Sequence, residues 1–145
     1  MLFETTRTDL QYCPTNKTTA SIIDAVLVRR LDGVVIGIAE TKCRTCDLDQ
    51  FINEFKSEWL LTFEKILEAR KISDALGVPF IGLLYLVPSD VLLMRRIYDP
   101  ERGWVTPFRV EQTITQATVN GGSVVRANAF IDMRVQSVGL RPIPF

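Results

Sequence analysis

Two β-branched runs on either side of Leu31-Asp32-Gly33 constrain this chain more than any other stretch. Residues 21–42 read SIIDAVLVRRLDGVVIGIAETK, and apolar strand formers flanking a Gly-containing turn predict a β-hairpin, with Gly33 at the position that needs positive φ. Inside its first strand stands Asp24, among Ile22, Ile23, Ala25, Val26 and Leu27. Aspartate is depleted in strand interiors and a buried carboxylate is costly without a partner, so a cation, a metal or a water-filled cleft is expected beside it. Register decides what lies across. A three-residue loop sets Arg30 against Val34 and brings Asp24 directly opposite Glu40. A two-residue Asp32-Gly33 turn instead pairs Asp24 with Thr41 and sends Glu40 to the other face. Bringing the two carboxylates together therefore requires the three-residue loop or a bulge.

Downstream, Asp47 has Gln50 three residues on, the spacing of a capping box, which predicts a helix beginning at Leu48. Apolar residues recur at Leu48, Ile52, Phe55, Trp59, Phe63, Ile66, Ala69, Ile72 and Leu76, one stripe of a helix that Gly77 and Pro79 end. At about 1.5 Å per residue it would run about 43 Å, more than a compact domain needs, so a kink or break is expected. Residues 78–87, VPFIGLLYLV, are apolar on both faces, as in a central strand covered by layers on each side. Residues 91–98, VLLMRRIY, fit either a helix or a strand, with strand the favoured reading. Residues 110–119 and 123–135 flank Asn120-Gly121-Gly122 as a closing hairpin, with Val125, Ala127, Ala129, Ile131 and Met133 on its packed face and Arg126, Asn128, Asp132 and Arg134 on its wet face. The tail GLRPIPF reads as irregular. The expected fold is α/β: one domain over residues 1–145, a central mixed β-sheet flanked by helices, with an additional C-terminal β-hairpin.

Composition works mainly by exclusion. The 145 residues include no histidine, which removes Ser-His-Asp and Cys-His catalysis, HExxH metalloproteases and Cys/His zinc fingers. Seventeen Lys and Arg balance seventeen Asp and Glu, which argues against broad electrostatic binding of nucleic acid. The N-terminal residues lack the basic and apolar regions of a secretion signal, and no apolar run is long enough to span a bilayer, so a soluble cytoplasmic protein is expected. Cys13, Cys43 and Cys46 are too few for a four-Cys zinc site and read as reduced thiols. Cys43-Arg44-Thr45-Cys46, between a strand and a helix start, keeps a thiol redox role in view.

In the register that sets Asp24 opposite Glu40, Lys42 shares their face, being two residues from Glu40 on a strand. Two carboxylates with Cβ atoms about 5 Å apart call for a cation between them, and Mg²⁺ suits such oxygen donors with waters and phosphate oxygens completing its shell. An adjacent lysine supplies positive charge for a phosphate. Asp24, the hairpin turn, then Glu40-Thr41-Lys42, a long helix and a buried strand together resemble the PD-(D/E)xK nucleases with the restriction-endonuclease-like fold, over residues 21 to about 87. The resemblance implies Mg²⁺ or Mn²⁺ held by Asp24, Glu40 and the Thr41 backbone carbonyl, with Lys42 activating water or touching the scissile phosphate. Ile23 stands where the family often has proline. The resemblance also implies a Glu on a helix before the first strand, for which Glu4 is the candidate and Asp9 the alternative, and a Lys or Gln from the following helix, among Gln50, Lys56 and Lys65.

An acid-x-Lys triplet arises readily by chance, and this chain has a second, Glu54-Phe55-Lys56, which reads as a solvated helix face. Arg29-Arg30 and Arg95-Arg96 read either as phosphate contacts or as exposed charges. The expectation is a Mg²⁺-dependent deoxyribonuclease, structure-directed or weakly sequence-specific, acting in recombination, repair or junction processing, with DNA as partner and a homodimer as assembly. Its competitors are a non-catalytic nucleic-acid- or protein-binding module that keeps the fold and, third, a thiol oxidoreductase.

Overall fold

A computed structural model describes residues 2–15, 22–114 and 125–134. A short helix α1 (Leu2–Thr6) leads into β1 (Leu10–Pro14), and the hairpin follows as β2 (Ala25–Arg29) and β3 (Val35–Arg44). The turn differs from both sequence alternatives. Arg29 N–H donates to the Val34 carbonyl, and Gly33, at φ 71°, donates to the Arg29 carbonyl, so four residues make the loop. A bulge between Leu27 and Val28 then restores Ala25 opposite Ala39, where the ladder ends, and the Asp24 N–H, one residue earlier, donates to the carbonyl of the same Ala39. The bulge thus restores the register of a three-residue loop as far as Ala25.

Past β3, Asp47 caps α2 (Leu48–Asn53) by accepting the Gln50 N–H at 2.7 Å. The Gln50 side chain turns to Glu54 instead of closing a capping box. The helical run read over residues 48–76, in which a kink or break was expected, is broken into two helices with a strand between them: β4 (Glu58–Thr62) precedes α3 (Phe63–Leu76). Lys56 and Ser57 both take positive φ, reversing the chain out of α2. Burial then alternates, with Trp59 and Leu61 inside and Leu60 exposed. The helical stripe fails in its first half, where Ile52 and Phe55 are exposed and Phe51 is buried instead. Pairing of β4 with a distant strand overrides local periodicity here. The second half holds in part: α3 buries Ile66 and Ala69 and half-buries Ile72, but Leu76 is exposed, and Gly77 ends the helix at φ 69°.

The buried run becomes β5 (Phe80–Leu86), parallel to β3 and antiparallel to β6 (Val91–Asp99); β7 (Gly103–Trp104) closes a mixed six-stranded sheet of order β1-β2-β3-β5-β6-β7. A second sheet, β4-β9-β8, joins β8 (Phe108–Ile114) and β9 (Val125–Asp132) as an antiparallel pair, so the expected closing hairpin gains β4 as a third strand. The Asn120-Gly121-Gly122 turn and the tail GLRPIPF lie outside the described residues. On β9, Ala129 and Ile131 pack as expected, as does Met133 just past its end, but Val125 is exposed, and Asn128, assigned to the wet face, is buried with its amide donating to Thr113 Oγ1.

The second sheet and α3 cover one face of the main sheet, joining Trp59, Ile131, Ile66, Phe80, Leu84 and Ile97 in one apolar cluster. The opposite face carries a smaller cluster, in which Phe3 of α1 meets Leu27, Ala39, Ile81 and Leu83. The architecture is therefore α/β around a mixed sheet. Among the described residues no helix is long and apolar enough to cross a membrane.

Candidate metal centre

Strand alternation sorts β3 into two environments. Ile38 belongs to the face under α3, and Glu40 and Lys42 follow it by period two; Ala39 lies on the opposite face, and Thr41 and Cys43 follow it there. Glu40 is 1% exposed, deep burial for a carboxylate. Its Oε1 stands 2.6 Å from Lys65 Nζ of α3 and 3.5 Å from Lys42 Nζ. The Lys65 contact is a close ion pair approached off the hydrogen-bonding direction, and Oε2 has no hydrogen-bond partner among the described residues. Burial pushes the Glu40 carboxyl above its ordinary value; the close Lys65 ammonium opposes this, the Asp24 charge reinforces it and Lys42 opposes it.

Asp24 is not inside the strand, as its sequence neighbours suggested, but in the bend just before β2, and it is half-buried. Its own backbone N–H donates to the Ala39 carbonyl, while Thr41 N–H donates to its Oδ2 at 2.8 Å. The carboxylate thus takes the place that the Ile23 carbonyl would fill if β2 ran one residue longer. Because the N–H and C=O of a strand residue point to the same side, the Thr41 carbonyl faces this edge as well. Asp24 is thus bonded to the Thr41 backbone, Glu40 meets Lys42 and, from α3, Lys65, and the Asp24 charge is felt at Glu40.

Of the three candidates on the segment after β3, only Lys65 reaches Glu40. Gln50 bonds Glu54, and Lys56 donates to the Asn53 carbonyl. Glu4 is on a helix, α1, yet its carboxylate accepts the Tyr12 N–H at 3.0 Å and stands 3.5 Å from Arg30. Since β1 is an edge strand and Tyr12 N–H points away from β2, Glu4 covers the outer edge of the sheet, two strands from Glu40. Asp9 pairs with Arg7.

The remaining sequence candidates disperse. Cys43 lies with Tyr12, Thr41 and Tyr85 along a cavity of about 550 Å³ on the α1 face, whereas Cys46 is buried in the cluster under α3, and both thiols are free. The two thiols of the CxxC segment thus differ in surroundings, one exposed and one buried. Arg29 is paired with Asp32 and Arg96 with Asp99.

Trp59, read from the sequence as part of a helical stripe, is instead a strand residue close to Glu40. Glu40 is in register with Gly82 of β5, and a Cβ built on Gly82 would come within 2.5 Å of the Trp59 ring. The indole therefore lies on the glycine beside Glu40 and helps seal the carboxylate from water. Among the described residues no group of three or more Asp, Glu, Cys or His side chains is placed to hold a metal, so a cation here would rest on two carboxylates and a backbone carbonyl. No protein-family model, no curated protein and no solved structure matches this chain.

Proposed function

We propose that the chain is a metal-dependent nuclease hydrolysing phosphodiester bonds in DNA, on a core of the restriction-endonuclease type. The antiparallel β2–β3 hairpin, followed by helices and by β5 parallel to β3, supports that core. The observation that carries the function is Glu40, a sealed carboxylate with one oxygen against two lysines and the other without a hydrogen-bond partner among the described residues. A bare buried acceptor costs about 1–3 kcal/mol, which a merely structural ion pair avoids by satisfying both oxygens. A hard divalent cation fits this donor set: Mg²⁺ needs only one or two carboxylates, its remaining positions going to water and phosphate oxygens. Asp24, Glu40 and the Thr41 carbonyl would hold it, and Mn²⁺ would substitute.

When bound, the cation supplies Lewis acidity at a phosphoryl oxygen and lowers the pKa of attached water. Lys42, with 39% of its side chain exposed, offers an ammonium at the solvent border to the scissile phosphate and to the attacking water. Asp24 keeps Thr41 and its carbonyl fixed at the end of the β2–β3 ladder. That same hydrogen bond favours a second reading, a non-catalytic scaffold in which Asp24 merely caps a strand end.

One assay separates the two. The protein is incubated with supercoiled, linear and branched DNA, with Mg²⁺ or Mn²⁺ and with EDTA, beside Asp24→Asn and Lys42→Ala. Cleavage that requires the cation and disappears in both variants is expected, and the preferred substrate reports whether the action is structure-directed. No cleavage on any substrate, or cleavage surviving in both variants, overturns the nuclease reading in favour of the scaffold.

A further inference from the structure

Building on the metal reading above, we propose that Lys65 is a positioning residue that makes metal and phosphate binding cooperative: it neutralises Glu40 in the metal-free protein and passes to a phosphate when the cation arrives. Two ammonium groups, Lys65 at 2.6 Å and Lys42 at 3.5 Å, already face a single carboxylate oxygen. A divalent cation joining that carboxylate meets two like charges at close range in a site shielded from water, where such repulsion is weakly screened. One ammonium has to withdraw.

Lys42 is held to this face by strand geometry, two residues from Glu40. Lys65 reaches in from the first turn of α3 on a flexible four-carbon stem, and 27% of its side chain is exposed, so its ammonium stands between the buried carboxylate and solvent. A short outward swing releases it. Withdrawn into water alone, it loses its closest anion, and that loss opposes metal binding. With a phosphate at the mouth of the site, the released ammonium gains a new partner. Each ligand then strengthens the other, by an equal factor in both directions. Gln50 and Lys56, bonded within their own segment, cannot take this part.

The test measures Mn²⁺ binding to the full chain from the paramagnetic resonance of free Mn²⁺, with and without thymidine 5′-phosphate, a probe with no phosphodiester to cleave. In the unaltered protein the nucleotide should tighten Mn²⁺ binding at least about fivefold, within the usual range of coupling between sites. Lys65→Met should bind Mn²⁺ more tightly than the unaltered protein when nucleotide is absent, and the nucleotide effect should fall towards none; Lys65→Arg should retain it. Circular dichroism confirms folding, and Lys65→Gln, which keeps a polar end, repeats the measurement should Lys65→Met unfold. If Glu40→Gln abolishes Mn²⁺ binding but Lys65→Met and Lys65→Gln show the unaltered affinity and nucleotide effect, the coupling is refuted and the metal site stands. If the protein does not bind Mn²⁺, or binds it equally well as Glu40→Gln, the metal reading falls and this proposal with it.

Discussion

Glu40-Thr41-Lys42 and Glu54-Phe55-Lys56 carry the same acid-x-Lys pattern and end in opposite circumstances. In the first, strand alternation sets Glu40 and Lys42 on one face, beneath α3 and beside Trp59, and Glu40 is sealed from solvent. In the second, the chain leaves α2 at Asn53 and turns through Lys56 and Ser57 at positive φ, so that Glu54, Phe55 and Lys56 are all exposed. Their partners are local, Gln50 for Glu54 and the Asn53 carbonyl for Lys56. Three residues with the right chemistry mean little until a strand aligns two of them and a second layer excludes water. The distinction between the two triplets therefore lies in the roof over Glu40, and it can be broken there.

The largest effect is expected from Trp59. The indole is 1% exposed and lies on Gly82, the cross-strand neighbour of Glu40. Trp59→Ala should cost about 3–5 kcal/mol, as for other buried aromatics cut to alanine. Gly82→Ala attacks the same contact from below: its Cβ would sit 2.5 Å from the ring and 2.9 Å from Ile97 Cδ1, and the forced shift should cost about 1–3 kcal/mol. Urea unfolding reads both. If Gly82→Ala is as stable as the unaltered protein, the indole does not rest on the glycine and the seal over Glu40 is not as described.

A smaller effect tests the start of the segment that carries the second triplet. Asp47 accepts the Gln50 N–H at 2.7 Å and starts α2. Asp47→Ala should cost about 1 kcal/mol, the usual worth of an N-cap. Because α2 ends before Glu54 and lies away from the Glu40 ion pairs, DNA cleavage at a fixed temperature below unfolding should be unchanged. A loss of cleavage at full folding would tie the two triplets together and undo the contrast.

The two triplets also mark what sequence reasoning reaches. The hairpin and the shared face of Glu40 and Lys42 were legible because turn chemistry and a period of two are local properties. A bulge was one of the two routes expected to the observed register, but its place between Leu27 and Val28 was not legible, since it depends on how the turn closes. The strand β4 was hidden because Leu48, Ile52, Phe55 and Trp59 happen to fall three and four apart, while its real partner is β9, with Trp59 opposite Ile131 far along the chain. Lys65 was one of three equal candidates, and only the packing of α3 on the sheet brings it to Glu40. Glu4 has the expected position on a helix before the first strand, but α1 crosses the opposite face and leaves it at the sheet edge.

The smallest expected effect is a change in stability with pH, because the terms at Glu40 oppose one another: burial raises its carboxyl above the ordinary value of 4.5, and Lys65 and Lys42 pull it back. A carboxyl whose folded value exceeds its unfolded value binds more protons in the folded state between the two. The stability it contributes is fully present below 4.5 and is lost as pH rises through the folded value. At neutral pH the unaltered protein therefore carries the cost of a buried charge, which Glu40→Gln removes. The variant should melt at a higher temperature than the unaltered protein at pH 7 to 8, with the gain shrinking as pH is lowered through the folded value towards 4.5. Glu54→Gln, at an exposed position, should stay within about 0.5 kcal/mol of the unaltered protein. Thermal melts of both variants across that range decide the matter. A Glu40→Gln gain that is absent, or equal at every pH, would show that the two lysines fully offset burial. Glu40 would then be no more strained than Glu54, and the bare oxygen would lose its standing as a place kept for a cation.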